Sequence, residues 1–165
     1  MNWPNRITIA RVALIPIIVI LLQFDVPLCR AAALVCFLVA SFTDWLDGYL
    51  ARKMQIVTNF GKFLDPVADK LLVLSTMIAL CGLGHFPAWV CVVVLFRELA
   101  VDGLRMVAVE QGIVIAAGKL SKIKTALQMF TLILVLLDTR MFGDFPMTDV
   151  FIYASVVMTL WSGLD

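Results

Sequence analysis

Apolar side chains fill long, nearly uninterrupted runs of this chain, and that pattern constrains its fold more than any other feature. Six runs, about 7 to 24, 30 to 52, 67 to 84, 87 to 107, 120 to 137 and 148 to 163, each approach the length at which a helix covers the hydrocarbon core of a bilayer. With 62% hydrophobic and only 15% charged residues among 165, the chain departs far from soluble globular usage. The expectation is an all-α integral membrane protein of six transmembrane helices in a single domain, 1 to 165, because no linker or internal repeat divides it. Residues 7 to 24 form a run longer than the core of a signal peptide and lack a small-residue cleavage site, so they are read as a retained first helix. Short links after 24, 85 and 137 contain Pro or Gly, while 53 to 66 and 108 to 118 are more polar or glycine-bearing connections. Successive helices should therefore pack mostly as antiparallel neighbours.

Basic residues give the orientation. Arg6, Arg11, Arg52, Lys53, Lys62, Lys70, Arg105, Lys119, Lys122 and Lys124 fall toward one face, against Arg30 and Arg140 on the other, with Arg97 inside a run. Such asymmetry places both termini in the cytoplasm. The net charge of +1 gives no reason to expect nucleic-acid binding. Cys29, Cys36, Cys81 and Cys91 show no CxxC spacing and suit packing rather than metal or disulfide roles.

Against this apolar background the stretch "TDWLDGYLARKMQIVTNFGKFLDPVADKLLV" places Asp44 and Asp47 at the end of the second run, and Asp65 and Asp69 around the start of the third. On a helix Asp47 lies about 60° from Asp44, and Asp69 about 40° from Asp65, so each helix presents one acidic stripe. A short connection lets the two stripes face each other near the cytoplasmic side. Four converging carboxylates cannot all stay ionised in a low-dielectric site without protons or cations. An all-oxygen cluster suits Mg²⁺ or Mn²⁺ rather than zinc, and two divalent ions would balance four negative charges. Gly48 and Gly61 would let a flat base or a backbone-hugging ligand approach. Arg52, one turn beyond Gly48, can pair with phosphate in a fork geometry. There is no GxxxxGK[ST] run, and the only histidine, His85, falls in the expected outer loop, so a Ser-His-Asp triad is not indicated.

The spacing D-x2-D-G-x2-A-R-x8-G-x3-D-x3-D is met by Asp44, Asp47, Gly48, Ala51, Arg52, Gly61, Asp65 and Asp69, and resembles the signature of the CDP-alcohol phosphatidyltransferases. The resemblance implies that family's six-helix membrane fold and an enzyme that displaces CMP from a CDP-linked lipid with an alcohol. It further implies that Asp44, Asp47, Asp65 and Asp69 hold two divalent cations, that Asp69 is also the catalytic base, and that Gly48, Ala51, Arg52 and Gly61 line the cytidine-diphosphate pocket. A homodimer in a bacterial inner membrane, with the active site cytoplasmic, is the corresponding expectation.

Outside that signature, Asn2, Pro4, Thr8 and Arg11 in "MNWPNRITIARV" resemble the nucleotide-covering region of a subgroup of the family; Trp3 as an interfacial anchor, with Arg6 and Arg11 as topology determinants, is a compatible reading. The segments "FRELAVDGLRMVAVEQG" and "GKLSKIKTALQMF" resemble the same subgroup. Arg97 and Glu98 within an apolar run demand partners or a wet cavity. Arg105 with Lys119, Lys122 and Lys124 would suit an acceptor carrying its own phosphate, which favours sn-glycerol 3-phosphate over serine or a neutral alcohol; the resemblance implies CDP-diacylglycerol as donor. Lysines serving only as topology determinants at lipid headgroups are the other account. The same catalytic centre could serve inositol phosphate, serine or phosphatidylglycerol, and an ion-coupled transporter is the alternative outside enzymes.

Overall fold

The computed structural model describes residues 3–24, 26–54, 59–112, 118–137 and 147–164, with side chains described for 8–24, 26–43, 65–112, 118, 120–137 and 147–163. Among the described residues it contains six helices: α1 Trp3–Gln23, α2 Pro27–Met54, α3 Asn59–Gly82, α4 Ala88–Glu110, α5 Lys119–Leu136 and α6 Met147–Leu164. Every apolar run is helical, but several ends are displaced. The largest correction concerns residues 53 to 66, expected as a connection: α2 runs to Met54 and α3 starts at Asn59, so Gly61 and Asp65 stand within a helix. Hydropathy marks where apolar side chains begin, whereas a helix continues wherever its i to i−4 backbone bonds continue. Pro66 lies inside α3 and Pro16 inside α1, each removing one such bond without ending the helix. The α4 end is sharp because Gly112 adopts φ 77°, a conformation that costs glycine little.

Contacts divide the chain into two compact units, Met1–Leu83 and Gly84–Asp165. In the first, α1 packs on both α2 and α3. Its core is drawn from residues three or four apart, which share one helix face: Ile15, Ile18 and Leu22 from α1, Ala33, Phe37 and Ala40 from α2, and Ala68, Leu72, Thr76 and Leu80 from α3. Thr8 near the start of α1 meets Asp65 near the start of α3, while Val19 and Gln23 share a cavity of about 350 Å³ with Ser75, Ala79 and Gly82 at the far ends. These helices therefore run parallel.

In the second unit α6 packs on α4 and α5. Trp89 stacks on Tyr153 with centroids 6.0 Å apart, and Arg97 meets Ser162, so α4 and α6 run parallel. Gln128 bonds to Thr159, and the Phe130 and Phe151 rings meet edge to face at 5.2 Å, so α5 and α6 are antiparallel.

Among the described residues, no helix is long and apolar enough to cross a membrane. In α3 every eighteen-residue stretch contains Asp65, Asp69 and Lys70, and in α4 every such stretch contains Arg97, Glu98, Asp102 and Arg105. Cys91 is buried, and Cys29, Cys36 and Cys81 are half-buried.

Phe37 is fully buried, whereas Val35, two residues away, is 58% exposed. Phe37→Ala should destabilise the protein by about 3 to 5 kcal/mol through the cavity it leaves. Val35→Ala should change stability far less. Thermal unfolding of the two purified variants, followed by circular dichroism, checks the contrast.

Candidate active site

Asp65 and Asp69 are one turn apart on α3 and both half-buried. Their spacing stacks the two carboxylates along one face. The Thr8 hydroxyl, 1% exposed, donates to Asp65 Oδ1 at 2.7 Å, which fixes that carboxylate from the α1 side. A hydrogen bond to an ionised acceptor is worth about 1.5 to 3 kcal/mol and restricts where the remaining lone pairs point. Arg11, one turn past Thr8, is also only 1% exposed.

Asp44, Asp47, Gly48, Ala51 and Arg52 occupy the last turns of α2, a helix that contacts α3, but their side chains lie outside the described residues. The same is true of Pro4 in α1 and Gly61 in α3, and Asn2 lies outside the described residues altogether. Among the described residues no three acids, histidines or cysteines cluster; of the four signature aspartates, only Asp65 and Asp69 have described side chains. The donor chemistry of that pair, hard oxygens with one carboxylate already oriented, fits a Mg²⁺ or Mn²⁺ ion.

In the second unit a buried ionic network joins three helices. Arg97 Nη2 donates to the Ser162 carbonyl at 2.8 Å and to Ser162 Oγ at 2.9 Å, and Nη1 donates to Glu98 Oε1 at 3.1 Å. Lys124 Nζ donates to the same Glu98 oxygen. The partners that Arg97 and Glu98 require are thus supplied by α5 and α6. Lys124 was expected at a phosphate pocket; here it is 3% exposed and held by Glu98. Lys122 lies about 160° round the helix from Lys124 and is exposed, so the two do not form one patch. Lys119 opens α5, with its side chain outside the described residues.

Arg105 follows Glu98 by two turns, about 20° round α4, and is half-buried. Its Nε is buried and makes no hydrogen bond among the described residues. An arginine in that state is suited to accept an anion.

A polar seam escaped the sequence reading. Lys124, Gln128 and Thr131 on α5, and Ser155, Thr159 and Ser162 on α6, are all buried. Gln128 Nε2 donates to Thr159 Oγ1 at 3.0 Å, and Thr159 Oγ1 donates to the Ser155 carbonyl at 2.6 Å. The four-then-three spacing was the available signal.

A family model for CDP-alcohol phosphatidyltransferase matches residues 1–161. The chain belongs to the CDP-alcohol phosphatidyltransferase family. Among its relatives in that family, a CDP-diacylglycerol–glycerol-3-phosphate 3-phosphatidyltransferase of Bacillus subtilis (strain 168) is 46% identical over 178 residues, covering 99% of this chain and 92% of that protein. One of the same name from Rickettsia bellii (strain RML369-C) is 42% identical over 139 residues, 84% of this chain and 77% of that one. A cardiolipin synthase (CMP-forming) of Oryza sativa subsp. japonica is 37% identical over 183 residues, 98% of this chain and 55% of that protein. Membership gives the eight signature positions between 44 and 69 a common context: the two helices that carry them lie in one unit of the fold.

Removing one partner of a buried ion pair costs about 3 to 5 kcal/mol, because the other charge is left uncompensated. Glu98→Gln and Lys124→Met should each lower stability by an amount of that order. The double variant should recover part of the loss, which a double-mutant cycle on thermal unfolding measures.

Proposed function

We propose that this chain transfers the phosphatidyl group of CDP-diacylglycerol to sn-glycerol 3-phosphate, releasing CMP and forming phosphatidylglycerol phosphate. The observation that carries this reading is the 46% identity to the Bacillus subtilis enzyme across 99% of this chain. Physical support comes from the oriented Asp65 carboxylate one turn from Asp69.

In this reading residues 1 to 165 act as one catalytic domain. Asp44, Asp47, Asp65 and Asp69 would hold two Mg²⁺ or Mn²⁺ ions, which supply charge neutralisation for the diphosphate and its departing CMP. Thr8 keeps Asp65 turned toward that site and, with Asn2 and Pro4, belongs to the wall over the nucleotide. Gly48, Ala51 and Gly61 leave room for the cytidine, and Arg52 pairs with a phosphate oxygen. Asp69 takes the proton from the primary hydroxyl of glycerol 3-phosphate; the new O–P bond forms at the phosphorus bearing diacylglycerol as the bond to CMP breaks. Arg105 pairs with the acceptor's phosphate, and Lys119, Lys122 and Lys124 add positive field, Lys124 being already engaged with Glu98.

The helices are proposed to lie across a bacterial inner membrane, with both termini cytoplasmic and the chain working as a homodimer. Supporting this, large apolar side chains point outward, among them Leu28, Val92, Phe96 and Leu104, while Arg11, Arg97, Glu98, Lys124 and Gln128 are buried. Exposed apolar surface on that scale marks contact with lipid or protein.

The similarity to a cardiolipin synthase sustains a second reading, in which phosphatidylglycerol is the acceptor. Purified protein given labelled CDP-diacylglycerol, Mg²⁺ or Mn²⁺, and one candidate acceptor at a time separates them. The proposal expects CMP and a phosphatidyl product with glycerol 3-phosphate, and neither with serine, inositol phosphate or phosphatidylglycerol. Product with phosphatidylglycerol alone would establish the second reading, and ion flux without CMP release would establish a transporter. Asp69→Asn should reduce turnover by about 100-fold or more, the range for loss of a general base. Arg105→Met should raise the acceptor KM roughly 10- to 100-fold, as expected for losing a charged hydrogen bond.

A further inference from the structure

Arg11 is among the largest fully buried side chains of the protein, at 1% exposure on α1. Guanidinium does not give up its proton in a protein, so a buried arginine requires nearby negative charge. Its position along the helix points to the acids of α3. Thr8 is level with Asp65 through their hydrogen bond, and α1 runs parallel to α3. Three residues on from Thr8, a rise of about 4.5 Å, Arg11 comes level with Ala68 and Asp69.

The first unit, Met1–Leu83, contains five acidic residues: Asp25, Asp44, Asp47, Asp65 and Asp69. Asp25 lies outside the described residues, beyond the end of α1 at Gln23. The remaining four are the signature aspartates.

We infer that Arg11 is a built-in counter-cation of the aspartate cluster, a positioning residue that offsets the repulsion among the carboxylates and keeps them together before divalent ions arrive. It occupies no coordination position and acts through the acids. Two consequences follow from Coulomb's law with opposite signs. Without metal, Arg11 offsets part of the repulsion among the aspartates and stabilises the fold. With metal, a fixed positive charge beside the site opposes binding, so Arg11 weakens metal affinity. A purely structural arginine would change stability, but its loss would loosen the metal site rather than tighten it.

This inference rests on the reading of the aspartates as a divalent-cation site, and the test separates the two. Mn²⁺ binding to the purified full-length protein is measured by electron paramagnetic resonance for wild type, Arg11→Met and Arg11→Lys, with thermal unfolding recorded with and without Mn²⁺. The expected result is that Arg11→Met unfolds at lower temperature without metal, binds Mn²⁺ about tenfold or more tightly, and gains more from added Mn²⁺ than wild type does. Arg11→Lys, which keeps the charge, should stay near wild type. If Arg11→Met folds only when Mn²⁺ is present during purification, the inference is supported by that rescue. Unchanged or weaker Mn²⁺ binding in Arg11→Met, or failure of Mn²⁺ to restore its folding, would overturn it. Absence of Mn²⁺ binding in wild type would overturn the cation-site reading itself.

Discussion

The hydrogen bond from Thr8 to Asp65 is the contact on which the first unit's functional geometry depends. It sets the register of α1 against α3, brings a buried arginine level with Asp69, and orients one of the carboxylates proposed to coordinate metal. Small and mid-sized apolar residues at three- and four-residue spacing then hold that register along the helices: Ile15, Ile18 and Leu22 from α1 with Ala68 and Leu72 from α3.

Both units bury charge and leave apolar side chains outside, which inverts the usual arrangement of a water-soluble domain. In the second unit this is achieved by a network in which Glu98 receives both Arg97 and Lys124, and Ser162 accepts from Nη2 of the guanidinium. Beside it, Gln128 and Thr159 link α5 to α6 through a bond whose donor and acceptor are both buried. Polar contacts of this kind hold helices together where apolar surfaces find no advantage in meeting each other rather than lipid.

The existence of six helices was readable because long apolar runs permit little else, and the signature from Asp44 to Asp69 was readable because its chemistry depends on residue types at fixed spacing. Helix ends were less so: residues 59 to 66 mix Asn59, Gly61, Lys62, Asp65 and Pro66 with apolar side chains, yet the backbone there is helical. Partner choice was not legible at all. Lys122 and Lys124 look equivalent in "KLSKIK", and only the helix phase separates an exposed lysine from one buried against Glu98. Arg11 read either as part of the region resembling a nucleotide cover or as a topology determinant, because sequence shows a charge near the start of a run and not its burial. The α5 and α6 seam was present as spacing, but isolated hydroxyls in apolar helices give little contrast.

The central claim is that the aspartates of α2 and α3 gather round divalent cations beside Thr8. Crystals of the protein grown with Mn²⁺ and measured at the manganese absorption edge address it directly. The account predicts two anomalous peaks within coordination distance of the Asp65 and Asp69 carboxylates, roughly 2.0 to 2.3 Å from their nearest oxygens. Anomalous density elsewhere only, with those carboxylates turned to separate protein partners, would contradict it.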